Sequence, residues 1–248
     1  MNKQKFSTTN RYGLKIVCDI WIPENSSGLD FVMQGLGGHK EEETVQTISK
    51  TIFNNGFIVI NFDSTNSFGE SEGEYKNATM QMHFEDLVEV IAWAKSQFWY
   101  KELFVLSGHS LEGYVVARYA EDYSEKVKTI FPHALVVSGD LSYQAGEISG
   151  EIKTWKETGW WISESKSKPS LIKRLPWLHM EERLKHNLLP NAGKITMPIL
   201  FIIGEHDRYC PPEHQKILYK ALMNYRERVS CCFGRSTYFS RTGALSRA

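Results

Sequence analysis

The chain has 248 residues, a length that suits one α/β domain with a substantial core and room for a small inserted subdomain. Its 29 basic residues balance 29 acidic ones, so the composition favours neither nucleic acid nor an anionic membrane as a partner. The amino terminus lacks the apolar core of a signal peptide, and no apolar run approaches the roughly 18 residues of a membrane-spanning helix. We therefore expect a soluble, cytoplasmic protein.

The four cysteines are predicted to be free thiols. They are Cys18, Cys210, Cys231 and Cys232. Their spacing matches neither a metal site nor the disulfide framework of a small secreted protein. The sequence thus predicts no metal and no cofactor.

Strands and helices alternate through the first half of the chain. The predicted strands cover residues 4–8, 14–22, 29–33, 57–62 and 127–137. The predicted helices cover 44–55 and about 81–97, with His83 expected on the outer part of the second. This alternation predicts an α/β fold with a mostly parallel sheet flanked by helices, where sites lie at the carboxyl ends of strands.

The segment between the last two of these strands carries the most informative motif. An apolar run over 103–106 leads into a Gly-His-Ser turn, and a helix-compatible stretch over 114–122 follows. A serine at such a junction, here Ser110, stands on a tight turn with its hydroxyl exposed, which is the geometry of a nucleophile elbow. The usual pattern is Gly-x-Ser-x-Gly, whereas this chain has Glu112 at the second glycine position and Gly113 one place later. The alternative is a surface serine in a strand-to-helix loop, with Glu112 as an ordinary acid of the first helical turn.

A second glycine-rich loop follows the strand over 29–33. Its sequence, Gly-Leu-Gly-Gly over residues 35–38, allows backbone N–H groups to point into a cavity. We interpret it as a candidate oxyanion loop. A glycine-rich β-to-α turn without a ligand is the alternative.

Regular alternation stops near residue 140. Residues 141–192 are charged and aromatic without a strand pattern, and we predict a helical cap inserted into an α/β core made of residues 1–140 and 193–248. Its clustered tryptophans, among them Trp160, are either the core of the cap or contacts for a substrate. The sheet resumes over 197–203, so that Asp207 lies just beyond the carboxyl end of a strand.

The candidate oxyanion loop, Ser110 and Asp207 are all predicted at the same edge of one sheet. Along the chain they follow the order of the parts of an acyl-transfer site. At this point the chain resembles the α/β-hydrolase superfamily, and within it small bacterial carboxylesterases of the cinnamoyl or feruloyl-esterase-like and serine-aminopeptidase-like types. The stretches that carry the resemblance are residues 35–41, 62–73, 108–110, 204–207 and 211–212.

The resemblance implies a role for each matched residue. Ser110 would be the nucleophile and Asp207 the acid, with the N–H groups of Leu36 and Leu111 as the oxyanion hole. Substrate contacts are expected at Gly35, His109 and Trp160. The implied partner is a small-molecule ester, and the sequence leaves a homodimer open.

Two departures from the family pattern lie at the predicted site. Gln34 replaces the histidine that usually precedes the oxyanion loop and mainly shapes it, so we expect a modest effect. A Glu112 carboxylate about 6 Å from the oxyanion would repel it by about 3 kcal/mol at an effective dielectric near 20. The alternative is a Glu112 side chain that turns away.

The third departure is the absence of the catalytic base from its expected position. All eight histidines precede residue 215, whereas the base of the family follows the last strand, beyond Asp207. Neither His206 nor His214 is well placed to bridge Asp207 and Ser110. The resemblance therefore implies a carboxylic-ester hydrolase that is impaired as written. A non-catalytic ligand-binding protein and a serine aminopeptidase-like peptidase are the alternatives.

The end of the chain suggests a reason for the missing base. Residues 228–239 lack the alternation of a last buried strand. Read one base late, their codons permit Glu-Leu-His-Val-Val-Ser-Gly-Ala-Ala-His-Thr-Phe, which resembles the last strand and histidine loop of the family and puts Thr237 at the place of the histidine. We hypothesise a frameshift between about residues 223 and 228, and we expect an unstable C-terminus.

Overall fold

A central sheet of eight strands, in the order β1-β2-β4-β3-β5-β6-β9-β10, organises the computed structural model, which describes residues 3–165, 168, 170–223 and 230–234. The strands are β1 (Lys3–Thr9), β2 (Lys15–Trp21), β3 (Gly28–Met33), β4 (Phe57–Phe62), β5 (Phe104–His109), β6 (Val127–His133), β9 (Leu200–Gly204) and β10 (Ser230–Gly234). Strand β2 runs antiparallel to β1 and β4, and the other neighbours are parallel. The predicted α/β fold with a mostly parallel sheet is confirmed.

Helices cover both faces of this sheet. They are α1 (Glu43–Asn54), α2 (Met80–Ala94), α3 (Leu111–Asp122) and α7 (Pro212–Met223). Helix α1 packs through Val45 on Val32 and Val59, whereas α2 and α3 pack on the opposite face. Burial on both faces explains why the parallel strands read as continuous apolar runs. In the described part of the chain, no helix combines the length and apolar character needed to cross a membrane.

Helix α2 corrects one prediction. His83 was expected on its outer part, but its side chain is 0% exposed. It lies three residues after Met80 and four before Leu87, both fully buried, so the spacing places it on the inward face. The expectation failed because a buried imidazole needs a polar partner. The partner of His83 lies on another helix, so the sequence of α2 alone does not reveal it.

The segment predicted to be a cap lies outside the main sheet. It contains α4 (Gly139–Ile148), α5 (Glu151–Thr158), α6 (Trp177–Arg183) and a hairpin of two antiparallel strands, β7 (Trp160–Glu164) and β8 (Ile172–Pro176). The expectation that this segment has no strands is therefore wrong. Its apolar side chains, chiefly Ile152, Trp155 and Leu175, pack on Tyr75 and Ala78 of the loop before α2.

The two segments of the chain that connect the cap to the main sheet are hydrogen-bonded to each other. The Gly139 N–H donates to His186 O at 2.8 Å, and the Leu188 N–H donates to Val137 O at 3.1 Å. Gly139 lies so close to the backbone of α6 that a Cβ on it would be 2.1 Å from the carbonyl oxygen of Arg183. Gly139 therefore has to lack a side chain.

The C-terminal part of the sheet also differs from expectation. Residues 230–234 pair in parallel with β9, from Ser230 opposite Leu200 to Gly234 opposite Gly204. This stretch forms a last strand although its sequence lacks the alternation of a buried strand, because the pairing is made by backbone hydrogen bonds. Thr237 lies outside the described residues, and the frameshift remains a hypothesis.

Candidate active site

Ser110 joins the end of β5 to the start of α3 in a strained conformation. Its φ of 58° and ψ of −114° are unusual for a residue with a side chain. The backbone is held there because the Ser110 N–H donates to His133 O at 2.8 Å and the Val136 N–H donates to Ser110 O at 3.0 Å. This is the elbow geometry that the Gly-His-Ser motif predicts.

Two glycines permit the sharp crossing of strand and helix. A Cβ at Gly108 would lie 2.3 Å from the carbonyl oxygen of Glu112, and one at Gly113 would lie 2.5 Å from Cβ of Leu135. Gly113 therefore provides close packing of α3 against the segment after β6, one position later than the usual pattern has its glycine.

Glu112 is turned into the protein towards α2. Its Oε1 lies 2.7 Å from Nδ1 of His83, and both side chains are 0% exposed. His83 Nε2 lies 3.1 Å from Thr65 O, and since a carbonyl oxygen only accepts, this nitrogen carries a proton. Of the two orientations considered for Glu112, the structure has the one that turns away.

The proton between His83 and Glu112 is shared within this buried pair. Burial is the largest single influence and lowers the pKa of His83, but the hydrogen bond and charge of Glu112, together with the smaller effects of Asp86 and Thr65, raise that pKa overall. Burial raises the pKa of Glu112 against the opposing effect of His83. In either protonation arrangement the Nδ1 to Oε1 hydrogen bond persists, so the pair fixes the underside of the elbow.

The backbone amides of Leu111 and Leu36 are both without an acceptor in the part of the chain that the structure describes. Leu111 is the first residue of α3, so its N–H has no intrahelical acceptor. Within the described residues, neither this N–H nor that of Leu36 donates a hydrogen bond. The loop of Leu36 reaches the elbow through Gly35, which packs on His109, and the oxyanion hole of Leu36 and Leu111 stays a prediction.

Two aromatic side chains shape the same loop. A Cβ at Gly35 would lie 2.6 Å from Nδ1 of His109, so the imidazole packs directly on this glycine. Gly37 has a φ of 66°, and a Cβ there would lie 2.7 Å from the Tyr75 ring. Gly35 and His109 contact each other. Their predicted contacts with a substrate stay predictions.

A buried cluster of charges fixes the far end of the oxyanion loop. Asp63 accepts hydrogen bonds from the N–H groups of Lys40 at 2.7 Å and Glu70 at 2.8 Å. The Lys40 side chain is 1% exposed, and its Nζ lies 3.4 Å from Asp63, 3.5 Å from Asp19 and in contact with Glu70. The loops after β3 and β4 are thereby tied together.

Gln34 closes the start of the same loop. In the amide orientation that satisfies both neighbours, it donates to Phe62 O at 2.6 Å and accepts from the Ser64 N–H at 2.9 Å. A buried glutamine thus links the ends of β3 and β4, which fits the modest effect expected for the loss of the histidine.

Asp207 lies in the turn after β9, as predicted. Its Oδ1 accepts hydrogen bonds from the N–H groups of Tyr209 and Cys210, both at 2.9 Å. Cys210 is buried, and the Ser110 hydroxyl is near enough to lower the pKa of its thiol, against the larger effect of burial. Ser110 and Asp207 therefore approach each other through Cys210.

Cys210 remains a neutral thiol in this position. Burial raises its pKa to about 12, and the nearby Asp207 carboxylate acts in the same direction. Because the thiolate is the reactive form of cysteine, Cys210 does not compete with Ser110 as a nucleophile at neutral pH.

A family model supports this geometry. The model for X-Pro dipeptidyl-peptidases of the S15 family matches residues 13–169, a range that contains both Leu36 and Ser110. The chain belongs to the X-Pro dipeptidyl-peptidase (S15) family. It is therefore a hydrolase of the α/β-hydrolase clade.

Individual relatives agree on the fold of this S15-family chain. An uncharacterized 31.7 kDa protein from the traX-finO intergenic region of Escherichia coli is 29% identical, over 77% of this chain and 79% of that protein. Est1E of Butyrivibrio proteoclasticus with bound ferulic acid has a TM-score of 0.78 at 18% identity, covering 95% of this chain and 92% of that one. A putative hydrolase of Agrobacterium vitis has a TM-score of 0.77 at 15% identity, covering 95% and 91%. At such identities the structural likeness concerns the fold.

Within the described part of this S15-family chain, no histidine hydrogen-bonds to the side chain of Ser110 or Asp207. His206 is exposed and His214 is half-buried on α7. The roles predicted for Ser110, Asp207 and the two amides stay predictions, and no described histidine takes the place of the predicted base.

Sequence reasoning did not identify every residue around the nucleophile. Cys210 and Tyr75 were missed, although Cys210 lies only three residues beyond Asp207. Trp160 is 42% exposed on β7, and its predicted substrate contact stays a prediction.

Proposed function

We propose that the chain is a serine hydrolase that cleaves carboxylic esters through an acyl-enzyme on Ser110. The observation that carries this proposal is the strained Ser110 backbone, with a φ of 58°, beside the free amides of Leu36 and Leu111. A protein maintains such strain where it positions a reacting group.

The proposed reaction follows from these positions. The Ser110 hydroxyl oxygen attacks the ester carbonyl, and the Leu36 and Leu111 amides stabilise the negative charge on the carbonyl oxygen. In the intact mechanism a histidine takes the proton of the Ser110 hydroxyl and returns it to the departing alcohol, and water then hydrolyses the acyl-serine to the free acid. The Oδ1 atom of Asp207 is occupied by two backbone amides, which leaves Oδ2 to orient a histidine.

The absence of the histidine base determines the turnover that we expect for ester hydrolysis. Loss of the histidine from such a triad costs on the order of 10⁶ in turnover, and the residual rate comes from oxyanion stabilisation and binding. We therefore expect very weak esterase activity from the chain as written.

A peptidase is the second candidate function, because the matching family is described as X-Pro dipeptidyl-peptidases. The two functions differ in the leaving group, which is an alcohol for an ester and an amine for a peptide. Hydrolysis of p-nitrophenyl esters compared with that of X-Pro p-nitroanilides separates them. Faster cleavage of the anilides would replace the ester proposal.

Labelling with a fluorophosphonate tests the nucleophile itself. We expect slow but measurable labelling of the folded chain and none of Ser110→Ala, with the modified peptide identified by mass spectrometry. Heat-unfolded protein controls for non-specific reaction. Equal labelling of the chain and of Ser110→Ala would refute the proposal and favour a non-catalytic ligand-binding protein.

A further inference from the structure

A cavity of about 360 Å³ lies between helix α1 and the sheet. Val32 of β3 packs on Val45 of α1, so the alternation of side chains puts Asp30, two residues earlier, on the same face. Asp30 and Val105 of β5 both line the cavity and are partners in the register of the two parallel strands. Val105 is the second residue of β5, whereas Ser110 follows the last residue, about 16 Å further along the strand. The cavity is therefore separate from the candidate active site.

The walls of this cavity are mainly apolar. Ile52 comes from α1, Phe57 begins β4, and Val105 and Phe131 belong to β5 and β6. The exposed side chain of Lys128 adds a positive charge at the edge of the cavity. A cavity with apolar walls and few polar groups suits a small molecule with an apolar body.

Asp30 brings a carboxyl group to these apolar walls. Its side chain is 0% exposed, and its Oδ2 accepts a hydrogen bond from Ser107 Oγ at 3.0 Å. Its Oδ1 has no hydrogen-bond partner among the described residues, and Lys128 does not reach it. A buried polar atom without a partner is costly and uncommon in folded proteins. A ligand that donates a hydrogen bond to Oδ1 would remove this cost.

The protonation of Asp30 favours a cation as that donor. Burial raises the pKa of Asp30 to about 8, against a smaller opposing effect of the Ser107 hydrogen bond. In the described part of the chain, Lys128 is the other titratable side chain that lines the cavity. The acid is thus mostly protonated at pH 7, and a bound ammonium group would stabilise its carboxylate form.

We propose that this cavity binds a small monoamine, whose ammonium group donates to Oδ1 of Asp30 and whose aryl or alkyl body packs on Ile52 and Phe131. Hydrogen bonds between an ammonium and a carboxylate are among the strong ones in proteins. A second positive charge on the ligand would approach Lys128, so monoamines are preferred over diamines. Because solvent does not reach Asp30, the half-buried ring of Phe57 or Phe131 has to rotate as the ligand enters.

A matched pair of probes tests this inference. Phenethylamine carries an ammonium group, and 2-phenylethanol is its neutral counterpart of nearly the same shape. We expect the full chain to bind the amine at least about tenfold more tightly than the alcohol in calorimetric titrations, as hydrogen bonds between charged groups allow. Asp30→Asn should abolish this difference. Failure of both probes to bind, equal affinities, or a preference that survives Asp30→Asn would overturn the inference.

A second variant tests the cavity while Asp30 is kept. Ile52→Trp fills the space from the side of α1, so both probes should bind at least about tenfold more weakly. Lys50→Trp is the matched control, because this exposed residue of α1 does not line the cavity and its replacement should leave both affinities unchanged. Thermal unfolding shows which variants are folded. If Asp30→Asn does not fold, unchanged binding of the probes to Ile52→Trp would overturn the inference.

The pH dependence and the active-site variant identify where the amine binds. The ammonium group pairs with the carboxylate form, so affinity for phenethylamine should rise between about pH 6 and pH 8 and then level off, while the amine stays protonated. Affinity for 2-phenylethanol should not rise over this range. Ser110→Ala should bind both probes as the parent does. An affinity for the amine that is independent of pH, or one that is lost in Ser110→Ala, would contradict the proposed site.

Discussion

Glu112 shows how a single side chain can change a conserved type of turn without changing its geometry. A carboxylic acid follows the nucleophile by two positions, where the usual pattern has glycine, yet Ser110 keeps the elbow conformation. The carboxylate is accommodated because His83 of α2 offers a buried partner at 2.7 Å. Each of the two residues is the buried hydrogen-bond partner of the other, so a substitution of one should leave the other without its partner.

Replacing Glu112 by glycine should therefore destabilise the protein even though it restores the usual motif. Glu112→Gly leaves Nδ1 of His83 without a partner, opens a cavity and adds a glycine to α3, for an expected loss of about 2–4 kcal/mol in the free energy of unfolding. Urea denaturation followed by circular dichroism measures this loss.

Glu112→Gln is the matched control. Its amide can donate to Nδ1 while Nε2 still donates to Thr65 O, so we expect a loss of about 1 kcal/mol or less. If Glu112→Gly were as stable as the parent, the pair would have no structural role.

The loops after β3 and β4 act as one unit because a buried cluster of charges holds them. Asp63 receives a backbone N–H from each loop, and Lys40 neutralises Asp63 together with Asp19. Both carboxylates are buried, and the Lys40 ammonium group balances their charge together with Lys3, whose Nζ lies 3.0 Å from Asp19. The position of the oxyanion loop depends on that balance.

Removal of the ammonium group should be severe. Lys40→Met leaves the buried Asp63 carboxylate without an ammonium partner and Asp19 with Lys3 alone, and we expect a loss of about 3–5 kcal/mol in the free energy of unfolding. Equilibrium urea unfolding provides the measurement, with Lys40→Arg as the control that keeps the charge and should lose less. A loss below about 1 kcal/mol in Lys40→Met would contradict the proposed role of the cluster.

The whole molecule combines an elbow-like turn at Ser110 with a C-terminal sequence that carries no histidine after residue 214. Residues 230–234 complete the sheet beside β9, so the chain reaches the edge from which the base of the family would return to Asp207. Beyond that strand the sequence has Thr237 where the resemblance implies histidine. The frameshift hypothesis accounts for this difference.

Restoring the alternative reading frame should recover activity. Replacement of residues 228–239 by Glu-Leu-His-Val-Val-Ser-Gly-Ala-Ala-His-Thr-Phe is expected to raise kcat/KM for p-nitrophenyl esters by at least about 10³, since the triad histidine contributes on the order of 10⁶ in turnover. The same replacement with threonine retained at position 237 is the matched control. No gain over that control would reject the hypothesis, as would codons in the encoding DNA that cannot spell the alternative segment.

The sequence predicted the parts of the site that depend on chain order and missed those that depend on contacts between distant elements. Ser110 and Asp207 follow strands whose apolar character is unmistakable, and parallel strands bring their carboxyl ends to one edge. The burial of His83 was accessible from its spacing to Met80 and Leu87, but its partner on α3 was not.

The paired connections at Gly139 and Leu188 also limit how the cap can move. Because these two segments are hydrogen-bonded to each other, they form one paired connection between the cap and the sheet instead of two independent linkers. It cannot swing outward as a rigid lid without breaking those bonds. Any motion of the cap that leaves these bonds intact has to arise within its own helices or hairpin, beyond the paired segments.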